Sequence, residues 1–325
     1  MLVSIPANPV PEGAVSGSIR TADGVTLRYA RFAPPPGRRG TVCIFQGRSE
    51  FIEKYYETVR DLRRRGFAVA AFDWRGQGGS ERLIPREPRK GHVRRFDDYL
   101  LDLDAFVRQV VLPDCPPPFY ALGHSMGAMN LLRAAHNGMH WFERIVMSAP
   151  MLGLQNIRLP ALSRGVVKAL RLAGLGESYV PRRDASLLQS APFPGNPLTS
   201  DPVRYARNAA VLEAAPHLAV GWPTVAWTDG AFAAVAEAAE ARFSAQIRQP
   251  ILMIGAGEDR VVSTAATEAF AARLRLGSYL MVPGARHELL MEQDHLRAQF
   301  WAAFDAFVPG TSLPRRQAGA VQVSR

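Results

Sequence analysis

Cysteine is scarce in this chain of 325 residues: Cys43 and Cys115 are too few for a disulfide framework and do not form a C-x-x-C metal pair. Lysine is scarcer still for a basic protein. Only Lys54, Lys90 and Lys168 occur among 39 basic residues, so arginine carries the net charge of +10. The arginine clusters, Arg38-Arg39, Arg63 to Arg65, Arg94-Arg95, Arg182-Arg183 and Arg315-Arg316, are scattered and lack interleaved aromatics. That pattern argues against a nucleic-acid partner and leaves peripheral contact with an anionic membrane surface open. No stretch approaches the roughly 18 apolar residues of a membrane span, and the opening M-L-V-S-I-P-A-N-P-V-P-E has neither the basic start nor the apolar core of a secretory signal. The expectation is a cytoplasmic globular protein, and 47% hydrophobic residues give it ample core.

Short apolar runs alternate with helical patterns from residue 41 onward. T-V-C-I-F at 41 to 45, F-A-V-A-A-F at 67 to 72, F-Y-A-L at 119 to 122, R-I-V-M-S at 144 to 148, P-I-L-M-I-G at 250 to 255 and S-Y-L-M-V at 278 to 282 read as strands. Helices are expected between them, at 51 to 65, 96 to 111, 126 to 137, 264 to 276 and 288 to 307. Continuous apolar strands separated by helices predict an α/β fold, a mostly parallel sheet covered on both faces. Residues 16 to 32 read as an edge hairpin turning at Ala22-Asp23-Gly24.

The alternation stops between 150 and 245, where three helical stretches follow one another. In 158 to 173, Leu159, Leu162, Val166, Leu170 and Ala173 share one face and Arg164, Lys168 and Arg171 another, an amphipathic helix with a basic side. Ser200-Asp201-Pro202 reads as the cap of a second helix, and 232 to 243 as a third. The domain reading is therefore a core at 1 to 149, a helical cap at 150 to 245, the rest of the core at 246 to 308 and a flexible tail at 309 to 325.

The chemistry centres on G-H-S-M-G at 123 to 127. The string alone is weak, but here it lies between a strand and a helix, where a sharp turn exposes the serine hydroxyl and Gly123 and Gly127 let strand and helix close around it. Ser125 is the expected nucleophile. It needs a histidine to take its proton and an acid to orient that histidine. Among seven histidines, His287 is the one that follows a strand and a turn; His124 sits inside the elbow, pointing elsewhere, and His92, His136, His140, His217 and His295 read as surface or core residues. Asp259 closes I-L-M-I-G-A-G-E-D between serine and histidine in the chain, and is preferred to Glu258 because neighbours in such a loop point apart. The oxyanion donors expected are the backbone N–H of Met126 and that of Arg48 in Q-G-R-S-E, where Gly47 permits close approach.

With these residues in place, the chain resembles the serine α/β-hydrolases, and within them the lysophospholipase and monoacylglycerol-lipase-like branch. The resemblance covers about residues 15 to 308. It rests on F-Q-G-R-S-E-F-I-E-K-Y at 45 to 55, D-W-R-G-Q-G-G-S at 73 to 80, G-H-S-M-G, G-A-G-E-D-R-V-V at 255 to 262 and G-A-R-H-E-L-L-M-E at 284 to 292. It implies the α/β-hydrolase fold with a helical cap insertion, the triad Ser125, Asp259 and His287, and oxyanion donors at Arg48 and Met126. Many relatives carry His-Gly where Gln46-Gly47 stands; the donor is backbone, so the hole is expected to survive. The 73 to 80 loop is given a turn's role and no chemistry. The expected activity is cleavage of an acyl-lipid ester, from a lysophospholipid or monoacylglycerol, with no cofactor and no metal. A short-chain carboxylesterase and a non-catalytic binding protein are the alternatives. A dehalogenase or epoxide hydrolase would need aspartate at position 125.

Overall fold

Five consecutive apolar runs cannot be wetted on either face, and in the computed structural model they form the buried centre of one sheet. The structure describes residues 1–34, 39–155, 160–180 and 192–310. Eight strands, β1 (Ala14–Arg20), β2 (Thr26–Phe32), β3 (Thr41–Phe45), β4 (Ala68–Phe72), β5 (Phe119–His124), β6 (Arg144–Ser148), β7 (Ile251–Ala256) and β8 (Gly277–Val282), lie in the order β1-β2-β4-β3-β5-β6-β7-β8. Only β2 runs against its neighbours, and every other pairing is parallel. The hairpin turns where expected, with Gly24 at φ 86°.

Successive side chains of a strand face opposite sides, and the core divides accordingly. Val42 and Ile44 of β3 pack with Val59, Leu62, Phe300 and Phe304, from α1 (Tyr56–Arg64) on one side of the sequence and the C-terminal helix on the other. Cys43 and Phe45 face the second layer, with residues of α2 (Asp98–Phe106) and α3 (Met126–His136) such as Leu103, Phe106, Met129 and Leu132. Both cysteines are free and buried. At about 1.5–3 kcal/mol for each large apolar side chain, this double layer makes the sheet a stiff platform for whatever its strand ends carry.

Between β6 and β7 the described residues add helices to the fold and no strand to the sheet: α4 (Pro160–Leu172), α5 (Pro202–Ala214) and α6 (Val225–Ala239). Asp201 caps α5 as expected, its carboxylate accepting from the Val203 and Arg204 N–H groups at 2.8 and 2.9 Å ahead of Pro202. Two helices close the chain, α7 (Thr264–Ala271) and α8 (Asp294–Phe307).

Several expected helices change their bounds. The one at 51 to 65 opens with a tight turn, Ile52–Tyr55, before α1. That at 264 to 276 stops at Ala271, and that at 288 to 307 breaks before Asp294. The break has a cause: the buried Glu292 carboxylate accepts from the Arg286 and Ser200 N–H groups at 2.8 and 2.9 Å, which turns the chain there. The helix placed at 232 to 243 starts seven residues earlier, capped by Thr224. Residues 158 and 159 of the amphipathic stretch, the pairs at 182–183 and 315–316, Arg38 and the tail from 311 lie outside the described residues. No helix among the described residues is long and apolar enough to cross a membrane.

Candidate active site

β5 closes on His124, the chain reverses at Ser125, and α3 begins at Met126. Ser125 has φ 49° and ψ −112°, a conformation that costs a non-glycine residue on the order of 1–3 kcal/mol. The packing around it imposes that strain. A Cβ on Gly127 would overlap the carbonyl oxygens of Phe45 and Gln46, and one on Gly123 would meet Ala128 and Leu131. The two glycines let α3 press against β3 and β5 with the serine at the apex.

Asp259 and His287 follow β7 and β8 at the same edge of the sheet. Asp259 Oδ1 accepts from the Val261 and Val262 N–H groups at 2.7 and 2.9 Å, which leaves Oδ2 for His287 Nδ1 at 2.8 Å. An ionised carboxylate only accepts, so the ring proton belongs on Nδ1 and the bare Nε2 accepts from the Ser125 hydroxyl, 3.1 Å away. Burial pushes the Asp259 carboxyl up, but the His287 ring and the two backbone N–H groups outweigh it and hold its pKa below the usual value. Glu258, by contrast, is exposed. An oriented imidazole beside a strained hydroxyl can remove its proton and return it to a leaving group.

Ser125 opens on a cavity of about 170 Å³, lined by Arg48 and Met126 and walled by apolar side chains that include Met151, Leu154, Trp227 and Val262. Met126 is the first residue of α3, so its N–H has no carbonyl one turn back to serve. The Arg48 guanidinium donates to Gly221 O at 2.9 Å and lies 5.4 Å from the Trp227 ring, tying the loop after β3 to the segment that carries α6. All seven residues singled out in the sequence are therefore brought together here. Among the described residues no group of His, Cys, Asp and Glu is arranged to hold a metal ion.

His124 departs from expectation. Its ring does not point elsewhere but stands 4.8 Å from the His287 ring on the same cavity, because β5 keeps its alternation to the end and His124 faces the layer of Tyr120 and Leu122, beside Tyr55, Leu290 and Met291. Its Nδ1 donates to Ser148 O at 3.2 Å. Burial pushes its pKa down to about 4, against an upward pull from Glu50, so the ring is neutral at pH 7.

A buried charge cluster beneath the site was also missed. Lys54 bridges Glu50 at 2.7 Å and Glu288 at 2.6 Å. Burial raises the Glu50 carboxyl, but Lys54 and His124 outweigh it; at Glu288 burial wins, and Glu50 adds to the rise. The i, i+4 spacing of Glu50 and Lys54 was the available signal. The 73 to 80 loop stands directly behind residues 46 to 50: Trp74 Nε1 donates to Gln46 O at 2.9 Å.

The family model described as serine aminopeptidase, S33, matches residues 36–294, and the Escherichia coli (strain K12) protein "Lysophospholipase L2" is 34% identical over 291 residues, covering 85% of this chain and 82% of its own length. The chain belongs to the S33 serine hydrolase family. "Probable lysophospholipase L2" of Haemophilus influenzae is 27% identical to it, with 87% of this chain and 88% of that protein covered. The fold of this S33 chain is the α/β-hydrolase fold. A soluble variant of monoglyceride lipase from Saccharomyces cerevisiae superposes with a TM-score of 0.72 at 19% identity, over 92% of this chain and 97% of that one. The S33 chain is a carboxylic ester hydrolase.

Proposed function

We propose that Ser125 cleaves the single acyl ester of a glycerol-based lipid, a lysophospholipid or a monoacylglycerol, through an acyl-enzyme. The observation that carries this reading is the unbroken chain of contacts from the Asp259 carboxylate through His287 to the Ser125 hydroxyl, ending in an apolar-walled cavity. Ser125 Oγ attacks the ester carbonyl carbon while its proton passes to His287 Nε2, and Asp259 stabilises the imidazolium through Nδ1–H. The carbonyl oxygen, now negative, is held by the Met126 and Arg48 N–H groups. His287 then gives the proton to the glycerol oxygen as the C–O bond breaks. Water, deprotonated by the same ring, attacks the acyl carbon and releases fatty acid and serine. Residues 150 to 245 act as a cap over this site.

The relatives named as lysophospholipases support a phospholipid headgroup. The cavity itself supports a second reading: its 170 Å³ is on the scale of a void that holds benzene, roughly 150 Å³, which suits a short-chain carboxylesterase unless the chain extends beyond it. The deciding experiment is release of acid by the purified protein from a lysophospholipid, a monoacylglycerol of equal chain length and a butyrate ester. Activity that rises with chain length is expected, and Ser125→Ala should lose at least about 10⁴-fold in kcat. Retained activity in that variant removes Ser125 as nucleophile, and a butyrate optimum removes the lipid.

A further inference from the structure

We propose that Gln77 is a positioning residue for the oxyanion hole, acting through the peptide that joins Gly47 to Arg48. The inference rests on the reading of Arg48 N–H as an oxyanion donor and asks what aims that N–H. In a trans peptide the carbonyl and the N–H point in opposite directions, so whatever grips Gly47 O also directs Arg48 N–H. Gln77 grips it: its Nε2 donates to Gly47 O at 2.9 Å and to Glu50 O at 3.2 Å. Its Oε1 accepts from Ser49 N–H at 3.2 Å. The two ends of the amide cannot be exchanged, since one meets two carbonyls and the other an N–H group.

The loop it holds would not keep this shape unaided. Ser49 stands at φ 64°, a left-handed conformation that is uncommon for serine, and the amide of Gln77 bonds the backbone on either side of it. Gly47 has no room to relax toward the cavity floor, because Glu50 accepts from its N–H and a Cβ there would already crowd the Glu50 carboxylate and the His124 ring. Gln77 is itself anchored. It is 3% exposed, and it sits in a loop closed by Asp73, whose carboxylate accepts from Gly79 N–H at 2.7 Å and from Arg28 Nε at 2.7 Å. The strand β4 thus presents a fixed amide to a strained loop on β3. The D-W-R-G-Q-G-G-S segment contributes to catalysis without touching substrate.

The test is Gln77→Glu, nearly the same size, which keeps an acceptor for Ser49 N–H and replaces the donor with a carboxylate facing two carbonyl oxygens. Because that buried charge can prevent folding, Gln77→Met is made beside it. Loss of one oxyanion donor costs about 10²–10³ in kcat, so misdirecting one is expected to lower kcat by roughly 10–100-fold with KM within about threefold. Affinity for a trifluoromethyl ketone, whose adduct occupies the hole, should fall in step with kcat/KM, while affinity for a non-hydrolysable ether analogue stays at the wild-type value. Wild-type kcat in folded Gln77→Met overturns the inference, and so does equal loss of both affinities, which a merely structural role produces. A wild-type protein that hydrolyses no ester and is not labelled at Ser125 by a fluorophosphonate overturns the reading of the site as well, whereas an active, labelled wild type with indifferent Gln77 variants overturns Gln77 alone.

Discussion

A neutral His124 beside His287 keeps a second positive charge away from the imidazolium that must form during the reaction. That neutrality has a measurable cost at low pH. In the unfolded chain a histidine titrates near 6.5, whereas burial brings His124 down to about 4 in the fold, with Glu50 and Asp259 pulling up and His287 and Lys54 pushing further down. Between those values the unfolded chain binds a proton that the folded one refuses, so stability rises with pH from about 4 to 6.5 and is lost as pH falls. The size is on the order of 3 kcal/mol, since each tenfold change in proton affinity is worth about 1.4 kcal/mol. His124→Asn keeps a donor for Ser148 O and removes the titration. Urea unfolding at pH 4.5 and 7 should show the larger loss in wild type, and equal losses in the two proteins would refute the assignment. Ser125, Asp259 and His287 were legible because each terminates an apolar run, and strand ends are where such a sheet collects its reactive groups. His124 was not, since its partner His287 reaches it from a loop 163 residues further along the chain, a contact that no local pattern records.

The element that reads differently in three dimensions is α4. Its apolar residues invite burial, yet Leu162 is 61% exposed, Leu172 80% and Val166 46%, while Val167 is buried. Of its basic residues, Arg171 turns inward, donating to Ala226 O at 3.2 Å and pairing with Asp229 at 3.2 Å, which leaves Arg164 and Lys168 exposed. An apolar helix face flanked by two cations suits the headgroup boundary of a lipid surface. Replacing Leu162 and Val166 together by glutamate should lower hydrolysis of a vesicle-borne long-chain ester by roughly tenfold and spare a water-soluble short ester. Equal loss on both would make α4 part of the site, and no loss on either would dismiss docking. The strands and the α5 cap were legible because burial on both faces and an Asp-Pro start leave local marks. The start of α6 was not: V-A-W-T-D-G looks like a turn, and Gly230 is inside the helix because Phe96 occupies the space of its Cβ. That contact joins residues 134 positions apart, which no local pattern records.

For the whole molecule, the question is what 36 arginines are for. Part of the answer is internal. Arg28 bridges Glu53 and Asp73 at 2.8 and 2.6 Å, Arg75 bridges Asp23 and Asp102 at 2.7 Å each, and Arg297 bridges Glu57 and Asp61 at 2.9 and 2.5 Å. Planar guanidinium groups suit such bidentate, buried pairing better than lysine does. Three arginines face six carboxylates in these clusters, a formal −3, so the side chains outside them carry the whole excess of +10 and more and give the protein a long-range field. If α4 is where it meets lipid, the field accelerates arrival and the apolar face prolongs the stay. The two separate experimentally. Co-sedimentation with vesicles containing anionic lipid should exceed that with purely zwitterionic vesicles at about 50 mM salt, and the difference should shrink at about 500 mM, where the Debye length falls to roughly 4 Å. The residual binding at high salt should then disappear in the Leu162, Val166 double variant. Binding indifferent to both salt and lipid charge would confine the arginines to the fold. Salt-dependent binding to DNA as strong as that to anionic vesicles would instead mark the charge as unselective.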